Sequence, residues 1–190
     1  MTHAGARDNF TLIPGAATSA SPVARAPIPL IPAHPGYEHL TLEERAQRPG
    51  VATRNAMLER MALLEAIAPT SPLSFLLVRV EGLTALDEVD PLNTPIVMAE
   101  VASALSRLTR PTDLVGRFEN ATFGVVLQGR GAGSAALISA RVHHHLNALP
   151  IVRFPVDIRV AVATGTGINN ETLVSAAVDA LARSAPQAAN

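Results

Sequence analysis

The sequence predicts one α/β domain, a mixed sheet with a central β-hairpin, flanked by helices. Three observations predict it. Leu73 to Val80 is a near-continuous apolar run, the pattern of a central strand buried on both faces. Leu114 to Phe118 and Thr122 to Gln128 are short runs rich in Val, Phe and Leu, split by the polar Glu119-Asn120-Ala121, which signals a hairpin. Between and around these runs, apolar residues recur at helical spacing. The resulting order is helix, strand, helix pair, hairpin, helix, strand, helix.

Residues 1–38 hold Pro14, Pro22, Pro27, Pro29, Pro32 and Pro35 among Ala, Ser and Gly. Such a stretch neither nucleates a helix nor pairs as a central strand, so it reads as a flexible tail. A partner-binding role is the alternative, although the spacing is not a clean P-x-x-P ligand. The domain is expected over 39–185, with 186–190 frayed. Thr41-Leu-Glu-Glu44 is a capping box that opens a short helix to about Arg48. A longer helix follows from about Thr53 to Ile67, with Met57, Met61, Leu64 and Ile67 as its buried stripe. After the strand at Leu73, Thr84 caps a short helix reaching Val89, which Asp90-Pro91 breaks. Thr94 then caps a longer helix to Thr109, with Pro95 at the first helical position, where a missing N–H costs nothing. Its apolar face is Val97, Val101, Leu105 and Leu108. Beyond the hairpin, Gly129-Arg-Gly-Ala-Gly133 is a loop and Ser134 to Leu149 a helix with Leu137, Leu146 and Leu149 inside. Val156 to Ala163 alternates apolar and polar or small residues as a half-buried strand. Gly165-Thr-Gly167 turns into a last helix from about Asn170 to Arg183.

Composition excludes several function classes. Fifteen basic against sixteen acidic residues leave a formal charge of −1, which argues against nucleic-acid binding through a general positive field. Every basic residue apart from histidine is Arg, so no Lys is present to hold a phosphate as a point charge. There is no Cys, hence no disulfide, thiolate metal site or Cys nucleophile. No apolar run approaches a membrane span and no secretory signal is apparent, so a cytoplasmic location is expected.

Five stretches in order resemble the GGDEF domain of diguanylate cyclases, over roughly Leu42 to Ala185. Gly50 to Arg60 is similar to its opening T-G-L-x-N-R-R-x-F-x-x-R. Phe75 to Glu88 is similar to its first strand and D-x-D-x-F-K-x-x-N-D. Arg110 to Gln128 resembles R-x-x-D, five residues, and the signature hairpin G-G-D-E-F. Arg159 to Thr164 resembles T-x-S-I-G-V, and Leu173 to Ala185 the terminal L-L-x-x-A-D-x-A-L-Y-x-A-K.

The resemblance implies which positions should carry chemistry, and most have changed. The family holds divalent metal over GTP with two carboxylates, whose positions here read Arg79 and Thr122; hard Mg²⁺ needs oxygen ligands, and a guanidinium repels it. The signature reads Glu119, Asn120, Ala121, Thr122, Phe123, a vestige in which only the core residue Phe123 is kept. The guanine-reading positions correspond to Asp87 and Ile96, and the two phosphate-contacting Lys positions to Thr84 and Ala185. Phosphoryl transfer depends on positioning and charge neutralisation, so the resemblance implies no cyclase activity, no cofactor and no metal.

One motif is kept. Arg110 and Asp113 stand where the family's inhibitory R-x-x-D binds cyclic di-GMP, and the ungapped register from Phe123 places Arg141 at the second arginine of that site. Arg forks onto a guanine edge or phosphate, and Asp accepts from guanine N1–H and amino groups. The implied partner is cyclic di-GMP, as an intercalated dimer, with a protein partner or self-association beside it. Two other readings stay open. Arg110 could simply complement its helix C-terminus, leaving a degenerate domain that serves only as a protein-interaction scaffold. GTP binding without turnover is disfavoured by Glu119, Asn120, Asp87 and Ile96. Arg117 reads as a structural or surface residue. His143, His144 and His145 are about 100° apart on a helix, so they do not converge on one metal ion. Gly129 to Gly133 lacks the ending of a P-loop.

Overall fold

The computed structural model describes residues 52–89, 93–149, 156–167 and 169–184. The expected tail, the helix at Thr41, the Asp90-Pro91 break and residues 185–190 lie outside them. The elements are α1 (Arg54–Ile67), β1 (Pro72–Glu81), α2 (Leu83–Val89), α3 (Asn93–Leu108), β2 (Leu114–Glu119), β3 (Thr122–Gln128), α4 (Ala132–Asn147), β4 (Asp157–Thr166) and α5 (Asn170–Arg183).

The strands form one sheet in the order β2-β3-β1-β4. The apolar run of β1 lies inside it, as its two-sided burial requires. The hairpin and the α/β architecture with flanking helices stand as the sequence predicts. All three strand pairings are antiparallel. The parallel component of the expected mixed sheet is, among the described residues, the single bridge between Ala52 and Gly116. One apolar cluster packs Leu76, Val78, Phe123, Val125 and Leu127 under α3 and α4. The other packs Phe75, Leu77, Phe118 and Val126 under α1 and α5. The close approach of α1 depends on two glycines that pair across the hairpin. A Cβ on Gly116 would lie 2.3 Å from the Met57 sulfur, and one on Gly124 2.9 Å from the Phe75 ring.

Several boundaries and faces differ from expectation. Helix α1 starts as predicted, with the Thr53 hydroxyl accepting from the Ala56 N–H at 3.3 Å. Met57, Met61 and Leu64 are buried, but Ile67 is exposed. Ten residues beyond Met57 at about 100° each, it has rotated off the stripe at the helix's last position. Leu137 is also exposed, because the buried stripe of α4 is Ala135, Ile138, Val142 and Leu146, and Leu137 is one residue, about 100°, from it. Helix α4 itself lies two residues earlier than expected, while Leu149, beyond its end, packs partly buried against the core. Thr94 sits within α3, where its hydroxyl donates to the Leu83 carbonyl. Strand β4 continues through Gly165 to Thr166 rather than turning there, because β1 offers it partners as far as Pro72. With helices over both faces, Ala161 to Gly165 are buried without alternation.

Candidate functional site

The hairpin has two ends, and they differ in chemistry. At the turn end, Glu119 and Asn120 are exposed, and the Ala121 carbonyl accepts from the Val80 N–H at 2.9 Å. Thr122 and Phe123 are buried. The register pairs Arg79 with Thr122 on one side and with Arg159 on the other. The two positions that should carry metal carboxylates are therefore cross-strand neighbours, occupied by an exposed arginine and a buried hydroxyl. That donor set does not fit Mg²⁺. Among the described residues, no three His, Asp or Glu side chains group as metal ligands. Arg159 donates to Glu81 and lies 4.0 Å from Asp157. Thr84, Asp87 and Ile96 are exposed. Arg117 lies half-buried with its guanidinium 5.0 Å from the centre of the Phe123 ring, and burial pushes its pKa down. It belongs to the packing of the hairpin.

At the other end, the loop from α3 to β2 closes on itself. The Asp113 N–H donates to the Arg110 carbonyl at 3.0 Å, and the Arg110 N–H donates to Asp113 Oδ2 at 3.0 Å. Such local side-chain bonding fixes a turn without regular structure. The same Oδ2 accepts from Arg130 Nη2 at 3.1 Å. The Asp113 side chain is fully buried, and that of Arg130 is 11% exposed. Arg130 follows Gly129, whose φ of 67° turns the chain out of β3. Its carbonyl accepts from the Ser74 hydroxyl at 2.8 Å, and the Ser74 oxygen lies 2.7 Å from that of Thr164. From α4, Arg141 Nη2 donates to the Leu108 carbonyl, near the end of α3.

Arg110 and Asp113 thus share one loop, and Arg141 reaches the last residue of the helix that precedes it. Arg110 and Arg141 are exposed; Asp113 is turned inward. Arg130 was missed, since its loop read only as a connection. The available signal was an arginine set between two glycines directly after a largely apolar strand. His143 and His144 are exposed and His145 half-buried, with His143 Nε2 3.1 Å from Asn147 Nδ2. No helix among the described residues is long and apolar enough to cross a membrane.

Comparison with known families matches residues 50–190 to the diguanylate cyclase GGDEF domain. Comparison with curated proteins yields no match. Among solved structures, the diguanylate cyclase SiaD of Pseudomonas aeruginosa, in complex with its activator SiaC, is similar with a TM-score of 0.63 at 22% identity. That match covers 70% of this chain and 55% of SiaD, so this chain spans about half of that protein. The GGDEF domain of DgcB from Caulobacter crescentus, in complex with c-di-GMP, gives a TM-score of 0.64 at 14% identity over 70% of this chain and 82% of that one. The GGDEF domain of FimX from Pseudomonas aeruginosa gives 0.63 at 14% identity, over 70% and 88%. Identities this low carry the fold alone.

Proposed function

The chain belongs to the diguanylate cyclase GGDEF family, and from that premise we propose that it is a non-catalytic member acting as a cyclic di-GMP receptor. The observation that carries the reading is the reach of Arg141 to the Leu108 carbonyl, which joins α4 to the end of α3, two residues before Arg110. The Arg130 side chain pairs with the Asp113 carboxylate, which leaves the exposed Arg110 and Arg141. Their two positive charges match the two phosphodiesters of one cyclic di-GMP molecule. Guanidinium groups take phosphate oxygens in bidentate fashion. The ligand binds as an intercalated dimer and so bridges two domains, or the domain and a partner. The loss of catalysis rests on Arg79, Thr122 and the Glu119-Asn120-Ala121 turn, which supply neither metal ligands nor a close backbone approach. A cytoplasmic location belongs to the same proposal.

Calorimetric titration with cyclic di-GMP tests this. Micromolar binding is expected, lost in Arg110→Ala. An assay with GTP and Mg²⁺ is expected to show no turnover, and turnover would overturn the non-catalytic reading. One observation favours a second reading, a protein-interaction scaffold: the Asp113 carboxylate is already engaged inside the domain. Absence of heat and of thermal stabilisation at high ligand concentration would select it.

A further inference from the structure

Asp113 is the residue that the family motif would turn toward a guanine base. In this chain its side chain is fully buried. One carboxylate oxygen, Oδ2, accepts from both the Arg110 N–H and Arg130 Nη2. The other, Oδ1, is closed off from solvent with no partner. Arg130 is not a surface side chain that swings aside. Its Nε is buried, its side chain is 11% exposed, and its carbonyl is tied to the Ser74 hydroxyl. Drawing Asp113 outward would strand a buried guanidinium, a penalty that any ligand using the carboxylate must overcome. Arg110 and Arg141 carry no such penalty: both are exposed, and Arg141 gives up only a hydrogen bond to a backbone carbonyl.

We infer that the Asp113–Arg130 ion pair withdraws the aspartate from base recognition, leaving a cyclic-dinucleotide site that reads phosphates and is relaxed toward the base. This rests on the receptor reading of the same loop. Guanine differs from adenine in offering N1–H and 2-amino donors, which call for an acceptor. A site built to pair such groups rejects an analogue lacking them by on the order of 10⁴-fold. With the carboxylate turned inward, that discrimination is absent. The phosphodiesters are common to both cyclic dinucleotides, and two arginines hold them equally. A guanidinium that forks onto guanine O6 and N7 leaves only a small residual preference. Arg130 is then a positioning residue: it touches no ligand, and it sets specificity through Asp113.

The test titrates the chain of residues 1–190 with cyclic di-GMP and with cyclic di-AMP at matched ionic strength. Wild-type dissociation constants within about tenfold of each other are expected, both weakening in parallel as salt rises. Asp113→Asn leaves their ratio unchanged. Arg130→Lys keeps the relaxed ratio. Arg130→Gln frees the carboxylate and raises the preference for cyclic di-GMP by about tenfold or more, a change in ratio that a merely structural role would not produce. If the wild type prefers cyclic di-GMP by about 1,000-fold and Asp113→Asn abolishes that preference, the aspartate does face the base. The inference then falls while the receptor reading stands. Binding of neither dinucleotide overturns both. Should Arg130→Gln fail to fold, the wild type and Asp113→Asn decide the matter alone.

Discussion

The two ends of the β2–β3 hairpin carry polar residues in opposite ways. At the turn, Glu119, Asn120 and Arg79 project from the surface, and their side chains share no hydrogen bond or ion pair among the described residues. At the foot, Asp113 is tied to its own loop, to Arg130 and, through the Arg130 backbone, to Ser74 and Thr164. A surface turn can lose its chemistry residue by residue without cost to the fold. A buried polar network cannot, because removing one member leaves another unsatisfied. The foot therefore stays polar whether or not it binds a ligand, and only titration separates retention for function from retention for folding.

The largest expected effect breaks the foot. Arg130→Gln or Asp113→Ala should each destabilise the domain by about 3–5 kcal/mol, the cost of leaving half of a buried pair. Urea denaturation at constant m checks this. In the double variant Asp113→Asn with Arg130→Gln, much of the loss should return, since two neutral groups can share a hydrogen bond. A loss below about 1 kcal/mol in the single variants would mean that the pair behaves as a surface contact, and the contrast between the ends would collapse.

Between the two ends, Gly116→Ala should cost about 1–3 kcal/mol by overpacking against Met57, and Met57→Ala in the same background should recover part of it. This sharpens the comparison by showing that the middle of the hairpin is constrained by its packing against α1. Ser74→Ala removes the hydroxyl that holds the Arg130 carbonyl and should cost about 1–2 kcal/mol. If the foot is one network, Ser74→Ala and Arg130→Gln will be less than additive in the same denaturation measurement.

The sequence disclosed the apolar architecture well, because two-sided strand burial and helical spacing both leave periodic marks. It disclosed faces less well where a stripe was incomplete. Leu137 looks like core by composition, yet Ala135 and Ile138 are the residues that meet the sheet. Gly165 looked like a turn, whereas its role depends on how far β1 extends beside it. The candidate site was legible only through the resemblance, Arg110 and Asp113 as a spaced motif and Arg141 by register; the structure sets the first two in one loop and Arg141 against the Leu108 carbonyl. Arg130 was not legible, because an ion pair across seventeen residues has no local pattern, and nothing in R-x-x-D says whether its aspartate points outward or inward.

The smallest expected effect tests whether the two ends are independent. Arg79 lies directly opposite Arg159 across β1 and β4, while Glu81 engages Arg159 alone. Like charges facing each other across strands are destabilising by about 0.2–1 kcal/mol. Arg79→Asp replaces that repulsion with an attraction, so it should leave stability unchanged or raise it by about 0.5 kcal/mol. Cyclic di-GMP affinity should not move, because Arg79 lies at the turn end of the hairpin and Arg110 at the foot. The urea midpoint and the calorimetric dissociation constant are the two readouts. A shift in affinity with an unshifted midpoint would mean that the turn and the arginine loop communicate through the strands, and the hairpin would then have to be treated as one site rather than two.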